Sequence, residues 1–470
     1  MNKSSKFISN TLILSLGTVG SKMIQYLLLP YYTNVLNTAE YGIVDNLQNI
    51  ASLLIPIVSM TIYEAIFRYA MDKQYDPRAV FSNGNIITMA GAALSLIVAL
   101  AMMPFLKSEN MVQYVFAVVT YVCINMFRTN CSLYVKAINK TTLFTIDNML
   151  LTTATIVSNI IFLSVLKMGI VGYMLGYIVG NAVSALFLIV VAKLYRAFSF
   201  RYFAKNICKT LFVFSIPLIP NTVCWWISNS SNRFMISYFI DVSENGVFAI
   251  AYKIPTIITI IVGVLLQAWQ ISANESADDK NIQSYYTQIY DIIGSMVVML
   301  SGDAVLASKI MINLMATDTY ARAWQFVPML VVSVYYFSKA QLLGTVYTTF
   351  KKTGMAFVTN FIAAAVNIAF NCLLIRAWNS ALGAAVSTCI SYCVLFYVRR
   401  RDTRRFITLD SSIIMEIVTE LLLLAEAIIF TWFNTYWYLS VICYLVLILL
   451  HFKTLLRMAK KCLSIVRMRK

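Results

Sequence analysis

Charge is what this sequence has least of. Only 12% of its 470 residues are charged, against 60% hydrophobic, far more apolar than a water-soluble domain needs or tolerates. Water is therefore not its main solvent. Histidine is nearly absent: the single one, His451, stands at the inner end of the last apolar run. With no carboxylate or second ligand near it in sequence, it reads as an interfacial residue beside a basic tail. No Walker A or other glycine-rich phosphate loop occurs, and no long loop separates the apolar runs, which excludes an ATPase or glycosyltransferase domain. The same lack excludes a membrane polymerase or ligase with a long outer catalytic loop, and no cofactor is implied. The nine cysteines fall mostly inside apolar runs without a CxxC, so they read as reduced packing residues with neither metal nor disulfide. Lys3 and Lys6 precede an apolar run in the manner of a signal peptide, yet no small-residue cleavage site follows, and the run is expected to be a first membrane span.

What is there is a series of apolar segments, each near the roughly 20 residues that cross a bilayer as a helix. Backbone groups cannot go unsatisfied in lipid, and these runs are too long and too continuously apolar for barrel strands. The fold class is therefore all-α, a polytopic membrane protein with about fourteen transmembrane helices. Spans are expected near residues 8–29, 42–68, 79–104, 112–136, 145–166 and 170–193, then 210–230, 245–271, 284–304, 324–350, 354–376 and 381–398, and finally 412–433 and 436–452. The thirteenth is interrupted by Glu416, Glu420 and Glu426.

The net charge of +17 does not point to nucleic acid, because the basic residues are not gathered in one patch. They alternate by loop. Most lie in the connectors holding Arg68, Lys73 and Arg78, Lys193 to Lys209, Arg399 to Arg405, and in the C-terminal tail. By the positive-inside rule both termini face the cytoplasm.

An internal repeat divides the chain. A shift of 204 sets Leu36 to Gly42 against Ile240 to Gly246, with Glu40 on Glu244 and Gly42 on Gly246. A shift of 212 sets Asn148 on Asn360 and Asn159 on Asn371, and a shift of 211 sets Gly172, Gly176 and Gly180 on Gly383, Ser387 and Ser391, a small-residue ridge in both copies. Each copy has six spans, so both have one topology and are related by a pseudo-two-fold axis along the membrane normal. The expected divisions are an N-lobe at 1–196, a cytoplasmic linker at 197–209, a C-lobe at 210–401, and two extra helices with a basic tail at 402–470. Two parallel lobes facing a central cavity suggest a transporter working by alternating access.

Ionisable residues at membrane depth are costly and usually face a cavity or a partner. Here they lean positive: Lys22, Arg128, Lys253 and Lys339 lie within spans, and Arg233 at the outer end of the seventh. Shifting Arg128 by 212 lands beside Lys339, so both copies are expected to place a cation at nearly the same spot in equivalent helices. These five are the candidate substrate-binding residues of a cationic cavity. Glu64 and Arg68, four apart at the inner end of span two, are expected to form a helix-surface pair and an inner gate. Asp45, Asp291 and Asp303 are the candidates for H+ or Na+ coupling. A cavity of this kind suits a large amphipathic anion, such as a lipid-linked pyrophosphate bearing a glycan.

The opening FISNTLILSLGTVGSKMIQYLLLPYYTNVLNTAEYGIVDNLQNI, then TIYEAIFRYAMD, the inner-loop KTTLF and KKTGM, and LMATDTYARAWQFVPML together resemble the Wzx-type polysaccharide flippases. Their superfamily also holds multidrug extruders and lipid II flippases. The resemblance covers the whole chain through loose motifs. It implies a flippase rather than an enzyme, one that moves undecaprenyl-pyrophosphate-linked oligosaccharide repeat units to the outer leaflet of a bacterial inner membrane, among membrane lipids and alongside polysaccharide polymerase and assembly proteins. It also sets Arg68 on the arginine that such proteins carry at the inner end of span two. A lipid II flippase is the alternative that sequence separates least well. A cation-coupled extruder is expected to place an acid in span one, where this chain has Lys22.

Overall fold

A computed structural model describes Tyr26 and residues 28–106, 108–275, 282–350 and 353–468. Among the described residues there is helix and turn and no strand. The chain separates into two compact units, Met1–Trp226 and Ile227–Lys470.

In the first unit the α-helices are α1 (Leu29–Val35), α2 (Thr38–Val58), α3 (Ile62–Ala70), α4 (Pro77–Met102), α5 (Glu109–Ala137), α6 (Thr141–Ile160), α7 (Gly169–Val191) and α8 (Lys205–Ser215). Helix α9 (Leu218–Phe239) crosses into the second unit. There follow α10 (Val242–Ala251), α11 (Lys253–Glu275), α12 (Ile282–Met315), α13 (Val327–Thr349), α14 (Thr353–Trp378), α15 (Leu382–Thr403), α16 (Ile413–Trp432) and α17 (Trp437–Met468).

Among the described residues ten helices are long and apolar enough to cross a membrane, and up to twelve spans result if each of two bent pairs counts as one. The count of fourteen is not reached, for two identifiable reasons. The first expected span lies outside the described residues except at its end. The thirteenth forms its helix, α16, but its three glutamates keep it out of the apolar set. Those glutamates do not break the helix because they all turn inward, at 7%, 5% and 0% exposure for Glu416, Glu420 and Glu426. The opposite side of α16 is apolar and exposed, with Ile414 and Leu421 standing out.

Each bent pair stands at a corresponding place in its unit. Helices α2 and α3 meet at 55°, and α10 and α11 at 40°. Both pairs begin with a polar cap: Asn37 accepts from the Glu40 amide at 2.9 Å, and Asp241 from the Glu244 amide at 2.6 Å, satisfying a helix-start donor in each. The first break passes through Met60 and Thr61, both in left-handed conformation (φ 52° and 51°). Thr61 is pinned there by donating its hydroxyl to the Ser215 carbonyl at 2.8 Å, with both residues fully buried.

The small-residue ridge also works as the repeat suggests. In the first unit Gly176 and Gly180 on α7 lie against Asn159 and Thr155 of α6, leaving no room for a Cβ. In the second, Gly383 on α15 lies against the Leu374 backbone of α14, and the Ser391 hydroxyl donates to the Ala363 carbonyl at 2.7 Å. Close backbone approach of this kind lets apolar helices pack where no hydrophobic force drives them together. On α4 the outward side is the reverse, with Leu94 and Ile97 well exposed, a face suited to lipid.

Candidate functional site

The buried charges decide what the interior can do, and in the first unit Asp147 meets the guanidinium of Arg128, while the buried Asp45 stands apart. Arg128 on α5 donates from Nη2 to Asp147 Oδ2 at 2.5 Å and to Asn148 Oδ1 at 2.8 Å, both on α6, and from Nε to Ser184 Oγ on α7 at 2.9 Å. Ser132 donates to Asp147 at 3.1 Å, and Ser184 donates to its other oxygen. The carboxylate is fully buried. A buried ion pair holds only when its remaining hydrogen-bonding positions are met, and here hydroxyls and an amide meet them.

The second unit has the same niche, filled from another helix. Arg399 on α15 donates from Nε to Thr359 Oγ1 at 3.1 Å, from Nη2 to Asn360 Oδ1 at 2.9 Å, and from Nη1 to the Ala340 carbonyl at 2.8 Å. Under the shift of 212, Thr359, Asn360 and Ala340 correspond to Asp147, Asn148 and Arg128. The cation that recurs is therefore Arg399 and not Lys339. Arg399 is also no loop residue, being only 3% exposed. Among the described residues no carboxylate pairs with it.

Lys339 belongs to a different cluster. Its ammonium pairs with Glu416 of α16 and donates to Tyr335 at 3.1 Å, lying 4.4 Å from the Tyr290 ring centre. Glu416 also pairs with Arg400 and accepts from the Tyr290 hydroxyl. One carboxylate thus ties α12, α13 and α15 to α16. A cavity of about 260 Å³ opens beside it, lined by Lys339, Glu416, Asp291, Asp410, Ser412 and His451 among others. His451 is not the interfacial residue its position in sequence suggests. It is buried, with Nδ1 2.8 Å from Ser295 Oγ and Nε2 3.0 Å from Thr419 Oγ1.

An uncharged polar knot completes the second unit. Asn371 donates to Asn232 at 2.6 Å and to Asn367 at 2.9 Å, and Asn232 donates to Thr388 at 2.7 Å. Asn159, at the equivalent place in the first unit, donates to Tyr32 at 2.9 Å. Among the described residues no group of three or more His, Cys, Asp or Glu side chains is placed to hold a metal ion.

The other expected site residues are dispersed. Lys22 lies outside the described residues. Arg233 is buried with its guanidinium 5.0 Å from the Tyr252 ring, and Lys253 is half-buried at the bend between α10 and α11. Glu64 and Arg68 are both exposed on α3, and no ion pair joins them, contrary to the pairing their spacing suggests. At a solvent-facing helix surface such a pair gains little over hydration. Asp45 is buried and accepts from Asn49 at 3.3 Å, Asp291 edges the cavity, and Asp303 is exposed, accepting from Tyr444 at 2.6 Å. Sequence reasoning missed Asp147, Arg399, Arg400 and Glu416 as site residues. An acid within each apolar run was the available signal for Asp147 and Glu416.

The sequence pattern of a family described as polysaccharide biosynthesis protein matches residues 7–270. No curated protein matches the chain. Among solved structures, the lipid II flippase MurJ in an inward closed conformation is similar at a TM-score of 0.70, with 13% identity over 95% of this chain and 100% of that one. An inward-facing multidrug resistance MATE family transporter is similar at 0.61, with 14% identity over 83% and 95%. A Vibrio cholerae MATE transporter is similar at 0.59, with 13% identity over 84% and 95%. At these identities the likeness is one of fold. The three are a flippase and two transporters, not enzymes.

Proposed function

Because the chain belongs to the polysaccharide biosynthesis protein family, we propose that it flips undecaprenyl-pyrophosphate-linked oligosaccharide repeat units from the inner to the outer leaflet of a bacterial inner membrane, with both termini cytoplasmic. The observation that carries this reading is the family match joined to a fold shared along 95% of the chain with a lipid flippase. The lobes are 1–196 and 210–401, joined by 197–209, with 402–470 appended. They work by alternating access.

The substrate is an anion, and the residues proposed to line its cavity are Lys22, Arg128, Lys253, Lys339 and Arg233. Arg128 and Lys339 hold carboxylate partners, so their part in the cationic cavity is to fix its walls and to add charge only when those partners are neutralised. Arg68 and Glu64 form an inner gate by exposure at the lower half of a bent span. Moving a pyrophosphate headgroup outward runs with an inside-negative potential, worth about 2.3 kcal/mol per charge per 100 mV.

The deciding experiment reconstitutes the chain in proteoliposomes with a fluorescent lipid-linked oligosaccharide. Flipping is expected, and it is expected to fall when Lys22, Lys253 and Arg233 are each changed to Gln. Parental rates in all three folded variants would sink the cationic-cavity mechanism. The likeness to MurJ favours lipid II as the second candidate substrate, and offering both in one assay separates them: the oligosaccharide carrier should be moved and lipid II should not. A drug-extruding activity is disfavoured by Lys22 in the first span.

A further inference from the structure

The three glutamates of α16 are the least expected residues in the chain, and their surroundings differ in a graded way. Glu416 pairs with Lys339 and Arg400 and accepts from Tyr290. Glu420, one turn further on the same face, accepts among the described residues only from tyrosines, Tyr397 at 2.5 Å and Tyr336 at 3.4 Å. Glu426 is fully buried, and neither of its oxygens meets a donor among the described residues. An ionised carboxylate in such a place is costly, so the form the site accommodates is the protonated acid. From Glu416 to Glu426 the helix rises about 15 Å, half the thickness of a bilayer core.

One end of this row meets a cavity and the other an exposed acid. At the Glu416 end is the 260 Å³ cavity, whose rim includes Asp291, Asp410 and His451, a volume that holds several waters. At the Glu426 end is Asp303, exposed and bonded to Tyr444. Rows of Asp, Glu and His at membrane depth are what proton relays are made of.

We propose that the inward face of α16 is a proton path, with Glu426, Glu420 and Glu416 as its successive carriers. The path supplies the coupling ion for the transport reading above, on which its direction rests. A proton taken up through Asp303 passes to Glu426, then to Glu420, then to Glu416, and leaves by the cavity past His451. At each transfer one O–H bond breaks, another forms and no electron is exchanged. The arrival of a proton on Glu416 removes the anion shared by Lys339 and Arg400, which loosens α13 and α15 from α16. The stretch from Glu420 to Glu426, about 9 Å along the axis, passes a proton only when water enters it, so the path is switched by conformation and does not leak.

Other titratable and charged groups face this row and set its background. Tyr335 lies near Glu420 on the α13 side and Cys393 on the α15 side, with Cys389 next to Tyr336. Cys443 on α17 faces Glu426. Lys309 on α12 sits at the far end against Asn434, 2.5 Å away.

The test uses the purified full chain and needs no substrate. Infrared spectra should show the carbonyl stretch of a protonated carboxylic acid that Glu426→Gln removes, and transfer to D2O should shift that band. In Asp303→Asn, which removes the entry group, the shift should be lost or delayed, and Asp303→Glu should restore it. Glu420 is kept for the proton-movement arm because its loss strands no cation, whereas Glu416→Gln leaves Lys339 and Arg400 unpaired. Absence of the acid band, a band that never exchanges, or exchange as fast in Asp303→Asn as in the parent would overturn the path. In proteoliposomes holding an internal pH dye, acidification should accompany flipping and vanish in Glu420→Gln. Flipping at the parental rate with no proton movement would overturn the coupling while leaving the flippase reading intact. If the oligosaccharide carrier is not flipped at all, that reading fails, and the infrared result still decides the path.

Discussion

The first unit buries its arginine with an acid, and the second buries its arginine without one. Arg128 meets Asp147, whereas Arg399 meets Thr359 and a backbone carbonyl at the same place in the repeat. Ser132, which helps hold Asp147, corresponds to Gly344, and that glycine leaves the space that Arg399 needs. The difference teaches that the niche selects a guanidinium for its fan of donors across three helices. The countercharge is a separate decision made within each unit.

This comparison can be broken most decisively at Asp147. Asp147→Asn should leave Arg128 buried without countercharge and lower unfolding stability in detergent by about 3–5 kcal/mol. Thr359→Ala, which removes one neutral partner from Arg399, should cost only about 1 kcal/mol. Equal losses would show the two niches to be energetically alike. Next in size, Gly344→Ala would place a Cβ 2.8 Å from Arg399 Nη1 and should cost about 1–3 kcal/mol by crowding, while Ser132→Ala in the other unit costs about 1 kcal/mol. Thr359→Asp gives Arg399 the acid its counterpart has and should raise the melting temperature, by about 1 kcal/mol of stability. A fall would mean that the second niche rejects a carboxylate. Smallest of all, Asn37→Ala and Asp241→Ala should each cost about 0.5–1 kcal/mol, seen as faster amide exchange at the start of α2 and of α10.

The helices were legible from apolar run length alone, because the bilayer imposes it, and the repeat was legible from Asn148 and Asn360 because both copies need an amide at that turn. What the sequence did not reveal was partnership. Arg128 and Asp147 are nineteen residues apart on different helices, and nothing in a one-dimensional pattern shows which buried acid answers which buried base. Arg399 read as a loop cation because it begins a run of three arginines, yet α15 continues past it to Thr403. The glutamates of α16 looked like a reason to doubt a span for the same cause: their inward orientation depends on Lys339, Tyr336 and Tyr397, which come from elsewhere in the chain. The bends at Met60 and Tyr252 did have a local signature, Pro56 four residues before the first and Pro255 three residues after the second.

The bend at Met60 and Thr61 has a mechanical side. Two consecutive non-glycine residues in left-handed conformation, one of them β-branched, each cost on the order of 1–3 kcal/mol. The strain persists because Thr61 is bolted to the Ser215 carbonyl on α8. The span that ends in Arg68 is in that sense a cocked lever. Whatever motion draws α8 away from α3 releases the bolt, and the recoil of the backbone toward a straight helix then does work on the segment carrying Glu64 and Arg68.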